Sequence, residues 1–180
     1  MTDTPRPAPG ELIDAVRQSN LALVKRLLRE GACVDEKGEF GKTPLCFAVV
    51  RGSLEMAELL ISAGAEINVR NDSGYTLVSA CISNMTAPQY EESSARILRM
   101  LIHKGAALDS VTRNGTTALQ WAQENGCARA EEIVNMGLRT RARYAQFARA
   151  KELMDFHNTA LDNQAFLKKH RVKTVLKNKP

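Results

Sequence analysis

The feature that most restricts what this chain can become is a repeat. The octets LLREGACV (27–34), LISAGAEI (60–67) and LIHKGAAL (101–108) align without gaps, and so do GKTPL at 41, GYTLV at 74 and GTTAL at 115. The Gly-Ala pairs lie 33 and then 41 residues apart, and the Gly-x-Thr glycines lie 33 and then 41 apart as well. Two separate landmarks therefore report one period, with the same eight extra residues in one unit. A unit this short cannot hide its own apolar side, so neighbouring units must cover it and the chain has to form a stack.

Each unit spells out two helices and a turn. Thr43 is placed to cap a helix N-terminus, with Pro44 at the first helical position, where a missing N–H costs nothing. Leu45–Val50 make a short apolar helix that Gly52 ends. Met56, Leu59 and Leu60 mark a second helix by their i, i+3, i+4 spacing, and Gly64 terminates it. The polar stretch EINVRNDSGY (66–75) then reads as a projecting hairpin tip. A hydrophobic fraction of 44% with only 5% aromatics suits thin, closely packed helices better than a bulky sandwich or barrel.

On these residues the chain resembles the ankyrin repeat family, whose mark is a period near 33 with a Thr-Pro-Leu helix start. The resemblance covers roughly 11–137. It implies an all-α solenoid of about four helix-turn-helix units with short β-hairpin tips. The expected layout is a lead-in over 1–10, the repeats over 11–138 and a basic helical C-terminal extension over 139–180. The first unit lacks the Gly-x-Thr opening, as an N-terminal cap should, and GTTALQWAQENGCARAEEIVNMG (115–137) reads as the C-terminal cap. The family's usual His after Thr-Pro-Leu is replaced by Cys46, Ser79 and Gln120, so its hydrogen bonds must be weakened or replaced.

Catalytic signatures are missing. There is no Gly-rich phosphate loop, no GxSxG and no HExxH, and His103, His157 and His170 are scattered. His103 suits a helix C-terminus as a cation. Cys33, Cys46, Cys81 and Cys127 form no CxxC pair, which argues against structural zinc and for free thiols. Phe47 and Trp121 fall at equivalent places and read as wedges between helices. The expectation is a non-enzyme without cofactor or metal. No apolar run of 18 residues is present and MTDTPRPAPG lacks a signal-peptide core, so a cytoplasmic protein without a membrane span is expected.

Function must then lie on a surface. Carried over by the resemblance, the partner-binding strip is Phe40, Lys42, Arg70, Asp72, Tyr75, Arg113 and Asn114 on the tips, with Arg51, Asn84 and Glu124 at the ends of the short helices. Aromatics and arginines favour interfaces, and Arg51, Arg70 and Arg113 suit bidentate recognition of carboxylates. The partner expected there is a protein of acidic or mixed charge, bound by an adaptor or by a stoichiometric inhibitor of the immunity-protein kind, as a monomer or hetero-complex. The eight extra residues, near MTAPQYEE (85–92) with Tyr90, read as a tolerated surface insertion, an extra contact arm or a lengthened helix.

Charge is divided unevenly. Residues 1–138 hold 14 Lys/Arg against 17 Asp/Glu, and 139–180 hold 11 against 3. The stripe Tyr144, Phe147, Met154 and Leu161 has helical spacing and is expected to dock against the last repeat. The end of the chain, with Lys168, Lys169, Arg171, Lys173, Lys177 and Lys179, suits an acidic protein or, as the alternative function, nucleic acid phosphates.

Overall fold

Four pairs of helices follow one another, each opened by a cap written in the sequence. A computed structural model describes the backbone of residues 7–109 and 111–177 and the side chains to residue 155. The first pair is α1 (Glu11–Arg17) and α2 (Leu21–Arg29), the second α3 (Pro44–Val50) and α4 (Leu54–Ser62). The third is α5 (Leu77–Asn84) and α6 (Pro88–His103), and the fourth α7 (Ala118–Glu124) with the opening turns of α8 (Ala128–Lys177). Among the described residues no strand forms. The expected hairpin tips reduce to a 3₁₀ turn at Glu39–Gly41 and one isolated bridge between Arg70 and Thr76.

Thr43, Thr76 and Thr117 cap α3, α5 and α7, each accepting the N–H three residues on. The slots where the family has His complete the caps locally. Ser79 Oγ accepts the Thr76 N–H at 3.0 Å, Gln120 Oε1 accepts the Thr117 N–H at 2.9 Å, and Cys46 Sγ accepts the Thr43 hydroxyl at 3.4 Å. At Ser79 and Gln120 the replacement is reciprocal capping, which keeps those helix starts defined.

One apolar core runs through all four pairs. Val24 and Leu27 from α2, Leu45 and Val49 from α3, Met56 and Leu60 from α4, Leu77 and Ile82 from α5, Ile97, Leu98 and Leu101 from α6, and Val134 from α8 are buried together. Each such side chain contributes about 1.5–3 kcal/mol by leaving water. α2, α4 and α6 stop at glycines 31, 64 and 105, whose φ values are 85°, 93° and 94°, and the next residue's N–H closes back on the helix, as Ala65 does on Leu60 O at 3.0 Å.

The eight extra residues are entirely helical. α5 has 8 residues against 7 in α3, and α6 has 16 against 9 in α4, while both connecting turns keep three residues. The extension is not a projecting arm. A Cβ on Gly52 would meet Ser93 Oγ at 2.5 Å and Tyr90 Cδ1 at 3.3 Å, so the first turns of α6 lie over the preceding α3–α4 turn. On the other side Arg129 of α8 bonds Glu91 at 2.9 Å and also bonds Glu92. The added turns tie the second pair to the fourth.

Gly137 occupies the sequence slot of the earlier terminators but ends nothing. It sits inside α8, where a Cβ would meet Ile102 Cγ2 at 2.6 Å. Its use is close helix approach, not a cap. The chain divides into two compact units, Met1–Gly137 and Leu138–Pro180. Within the second, Tyr144, Phe147 and Met154 are exposed at 72%, 68% and 67%. Leu161 and the basic side chains from 168 onward lie outside the described side chains.

Candidate protein-binding surface

The tips that join the pairs are laced to one another through backbone groups. The Asp72 N–H donates to Phe40 O at 3.0 Å, and the Thr76 N–H to Val111 O at 3.2 Å. Two arginines complete the lacing. Arg70 Nη1 donates to Gly74 O at 2.8 Å and to Thr112 O at 3.0 Å, and Arg113 Nη2 donates to Asp72 O at 2.9 Å. Each of these guanidinium groups thus commits a nitrogen to backbone carbonyl oxygen, which a charged donor satisfies strongly. Asn84 has a comparable duty. Its amide donates to Val49 O at 3.2 Å and Val50 O at 3.0 Å, closing the C-terminal carbonyls of α3.

Five side chains converge at the first tip. Phe40 is 69% exposed and adopts φ 58°, ψ 28°. Lys42 Nζ lies 5.8 Å from the centre of its ring and 6.0 Å from that of Phe47, and the Arg17 guanidinium lies 5.2 Å from Phe47. Glu39 sits 3.8 Å from Arg17. Two cations against two ring faces make an amphipathic platform suited to acidic and apolar groups together. The sequence marks Phe40 and Lys42. It does not show that Phe47 is only half-buried or that the end of α1 brings Arg17 to it, because that contact depends on the turn between the first two pairs.

A second aromatic pair lies further along. Tyr75, 42% exposed, stacks on Trp121 with centroids 5.6 Å apart at 49°. The indole N–H donates to Ser79 O and Ser83 Oγ, both at 3.2 Å, so Trp121 is held as the wedge expected of it. Arg51, Asn114 and Glu124 are exposed. Tyr90 belongs to the α6 extension and packs beside Gly52.

Among the described residues two sites perturb titration. The Arg129 side chain, by hydrogen bond and charge, holds the Glu92 carboxyl below the ordinary glutamate range. Bonds to Glu91 and Glu92 raise Arg129 in turn. Burial pushes the Cys81 thiol far up, which removes it as a nucleophile. Among the described residues no cluster of three metal-binding side chains occurs, and no helix is long and apolar enough to cross a membrane.

Comparison with known proteins agrees with this geometry. Residues 12–89 match the family model for ankyrin repeats in three copies. Over 112 residues the chain is 30% identical to the ankyrin repeat, SAM and basic leucine zipper domain-containing protein 1 of Atelerix albiventris, which covers 62% of this chain and 23% of that one. It is 30% identical over 117 residues to the BRCA1-associated RING domain protein 1 of Caenorhabditis elegans, covering 63% and 15%. The chain thus spans about a quarter or less of these relatives. The crystal structure of an ankyrin repeat domain from Acinetobacter baumannii AYE superposes with a TM-score of 0.63 at 27% identity, covering 70% of this chain and 63% of that one.

Proposed function

We propose that this chain, whose residues 12–89 match the model for ankyrin repeats, in general protein-interaction modules and typically non-catalytic, grips a partner protein with its tips and short helices, as an adaptor or a stoichiometric inhibitor. The observation that carries the reading is the platform of Phe40, Phe47, Lys42 and Arg17. Its rings are only partly covered, its two cations lie against them, and its backbone is tied to the next tip through Phe40 O. Such preorganised aromatic and cationic surface is where interface energy concentrates. The cations favour a partner offering carboxylates beside apolar groups.

The test is capture from native lysate by the intact chain and by a Phe40→Ala/Arg17→Ala/Tyr75→Ala variant. A hot-spot loss of about 2 kcal/mol or more is a thirtyfold or greater drop in affinity, with thermal unfolding shifted little because the three side chains are partly exposed. Undiminished capture by the variant refutes the assignment. Adding the purified partner at equal molarity then separates inhibitor from adaptor: loss of the partner's activity marks the first, retention the second.

A further inference from the structure

The second unit carries a surface that the ankyrin reading does not use. α8 runs to Lys177 without a stop, and the described side chains from Leu138 to Asp155 include Tyr144, Phe147 and Met154, each at least two-thirds exposed. A helix of this length in water needs a partner for its apolar side, since propensity alone gives marginal stability. The spacing says what kind. Thr140, Tyr144, Phe147, Lys151 and Met154 follow one another at intervals of four, three, four and three. The same alternation continues in register through Asn158, Leu161, Ala165, Lys168, Val172 and Val175. In that 3.5-residue frame Phe147, Met154, Leu161 and Val175 fall in one apolar column, as in a coiled-coil seam, while the other column carries Lys151 and Asn158, and Leu153, 63% exposed, lies off the frame.

Charge decides the occupant. Residues 138–177 hold ten Lys/Arg against three Asp/Glu, a net +7, and two of the lysines, Lys151 and Lys168, stand at seam positions. A second copy would bring +7 against +7, and a parallel pair in register would set each seam lysine beside its own image. An acidic helix reverses both effects, and seam lysines reject like partners as effectively as they accept opposite ones. We propose that the extension of α8 forms a coiled coil with an acidic amphipathic helix of a partner protein, its apolar seam centred on Tyr144, Phe147 and Met154.

The experiment uses the full chain and a synthetic acidic peptide of about five heptads, with an apolar seam, Glu on the flanks and Glu facing Lys151 and Lys168. A scrambled peptide of identical composition is the control. At about 0.15 M salt the patterned peptide should bind one to one, gain helix by far-UV circular dichroism, and bind about tenfold or more tighter than the scrambled one. Phe147→Gln/Met154→Gln keeps good helix formers and should remove that preference. Phe40→Ala should leave it intact, which separates this surface from the ankyrin platform. Equal affinity for both peptides would mean diffuse charge attraction and overturn the proposal. So would sedimentation showing the protein alone to be a dimer that the double Gln variant dissociates, since a second copy would then fill the seam.

Discussion

Replacing Gly74 by alanine separates two costs that the tips combine. Gly74 has φ 81° and Gly64 has φ 93°, so each holds backbone that an L side chain adopts at a cost of about 1–2 kcal/mol. Their surroundings differ. A methyl on Gly64 meets nothing within 4 Å, whereas on Gly74 it lies 2.6 Å from Arg113 Cβ, 3.0 Å from its Cα and 3.2 Å from its N. Two of those atoms are main chain, which no rotamer change can move, so the next tip must retreat. Retreat strains the Thr76–Val111 bond and those from Arg70 and Arg113. Overpacking of this kind costs about 1–3 kcal/mol, and a weakened hydrogen bond adds up to about 1.

The expected losses are therefore about 1–2 kcal/mol for Gly64→Ala and about 2–6 for Gly74→Ala. For a unit of this size 1 kcal/mol corresponds to about 4 °C, so Gly74→Ala should melt about 4–16 °C below Gly64→Ala. Urea unfolding followed by circular dichroism and by the fluorescence of Trp121, the single tryptophan, measures both. Because Trp121 bonds α5, it reports the third and fourth pairs directly. Equal destabilisation by the two substitutions refutes the lacing of the tips.

Titration of Glu92 tests the tie between α6 and α8. Arg129→Ala should return the Glu92 carboxyl upward toward its ordinary range, read by carboxyl carbon shifts in NMR. Because the folded value is depressed, the stabilisation is present above the unfolded carboxylate range and fades as pH falls through the lowered value. A stability gap between wild type and variant that is the same in acid and at neutral pH contradicts the pairing. Thiol reactivity should be ordered, with exposed Cys33 labelled first in the native protein and Cys81 silent until unfolding. Rapid native labelling of Cys81 would mean that α5 is not packed as described.

The helix starts and the apolar stack were legible because each is a local pattern: Thr43, Thr76 and Thr117 cap their own helices, and Leu60 or Leu98 is buried by periodicity alone. What escaped depends on where a neighbour sits. Gly137 has the same sequence context as Gly64, yet it serves close approach to Ile102, and only α6 reveals that. Pro88 reads equally as a turn or as a first helical residue, so MTAPQYEE did not disclose that its eight residues lengthen helices. The backbone bonds of Arg70 and Arg113 were not legible because the carbonyls they reach, Thr112 and Asp72, belong to other tips 42 and 41 residues away in sequence. Phe47 looked like core because its uncovered side is defined by Arg17, a residue of the first pair.

Phe40 joins these threads. Among the described residues only Ser19 and Phe40 have positive φ without being glycine, and Phe40 is the most exposed aromatic of the repeat unit. A bulky residue there is strained by about 1 kcal/mol, and the strain persists because the Asp72 N–H holds the Phe40 carbonyl. Selection for stability alone would place glycine or asparagine at this position. The ring is thus held out at a cost to the fold, which is the pattern of a functional anchor. Phe40→Gly should relieve the backbone and lose only an exposed contact with Lys42, leaving stability unchanged or raised by up to about 1 kcal/mol. Partner affinity should fall about tenfold or more. Those opposite signs distinguish an anchor from a folding residue: a variant that loses stability and binding in proportion would show that Phe40 merely supports the tip.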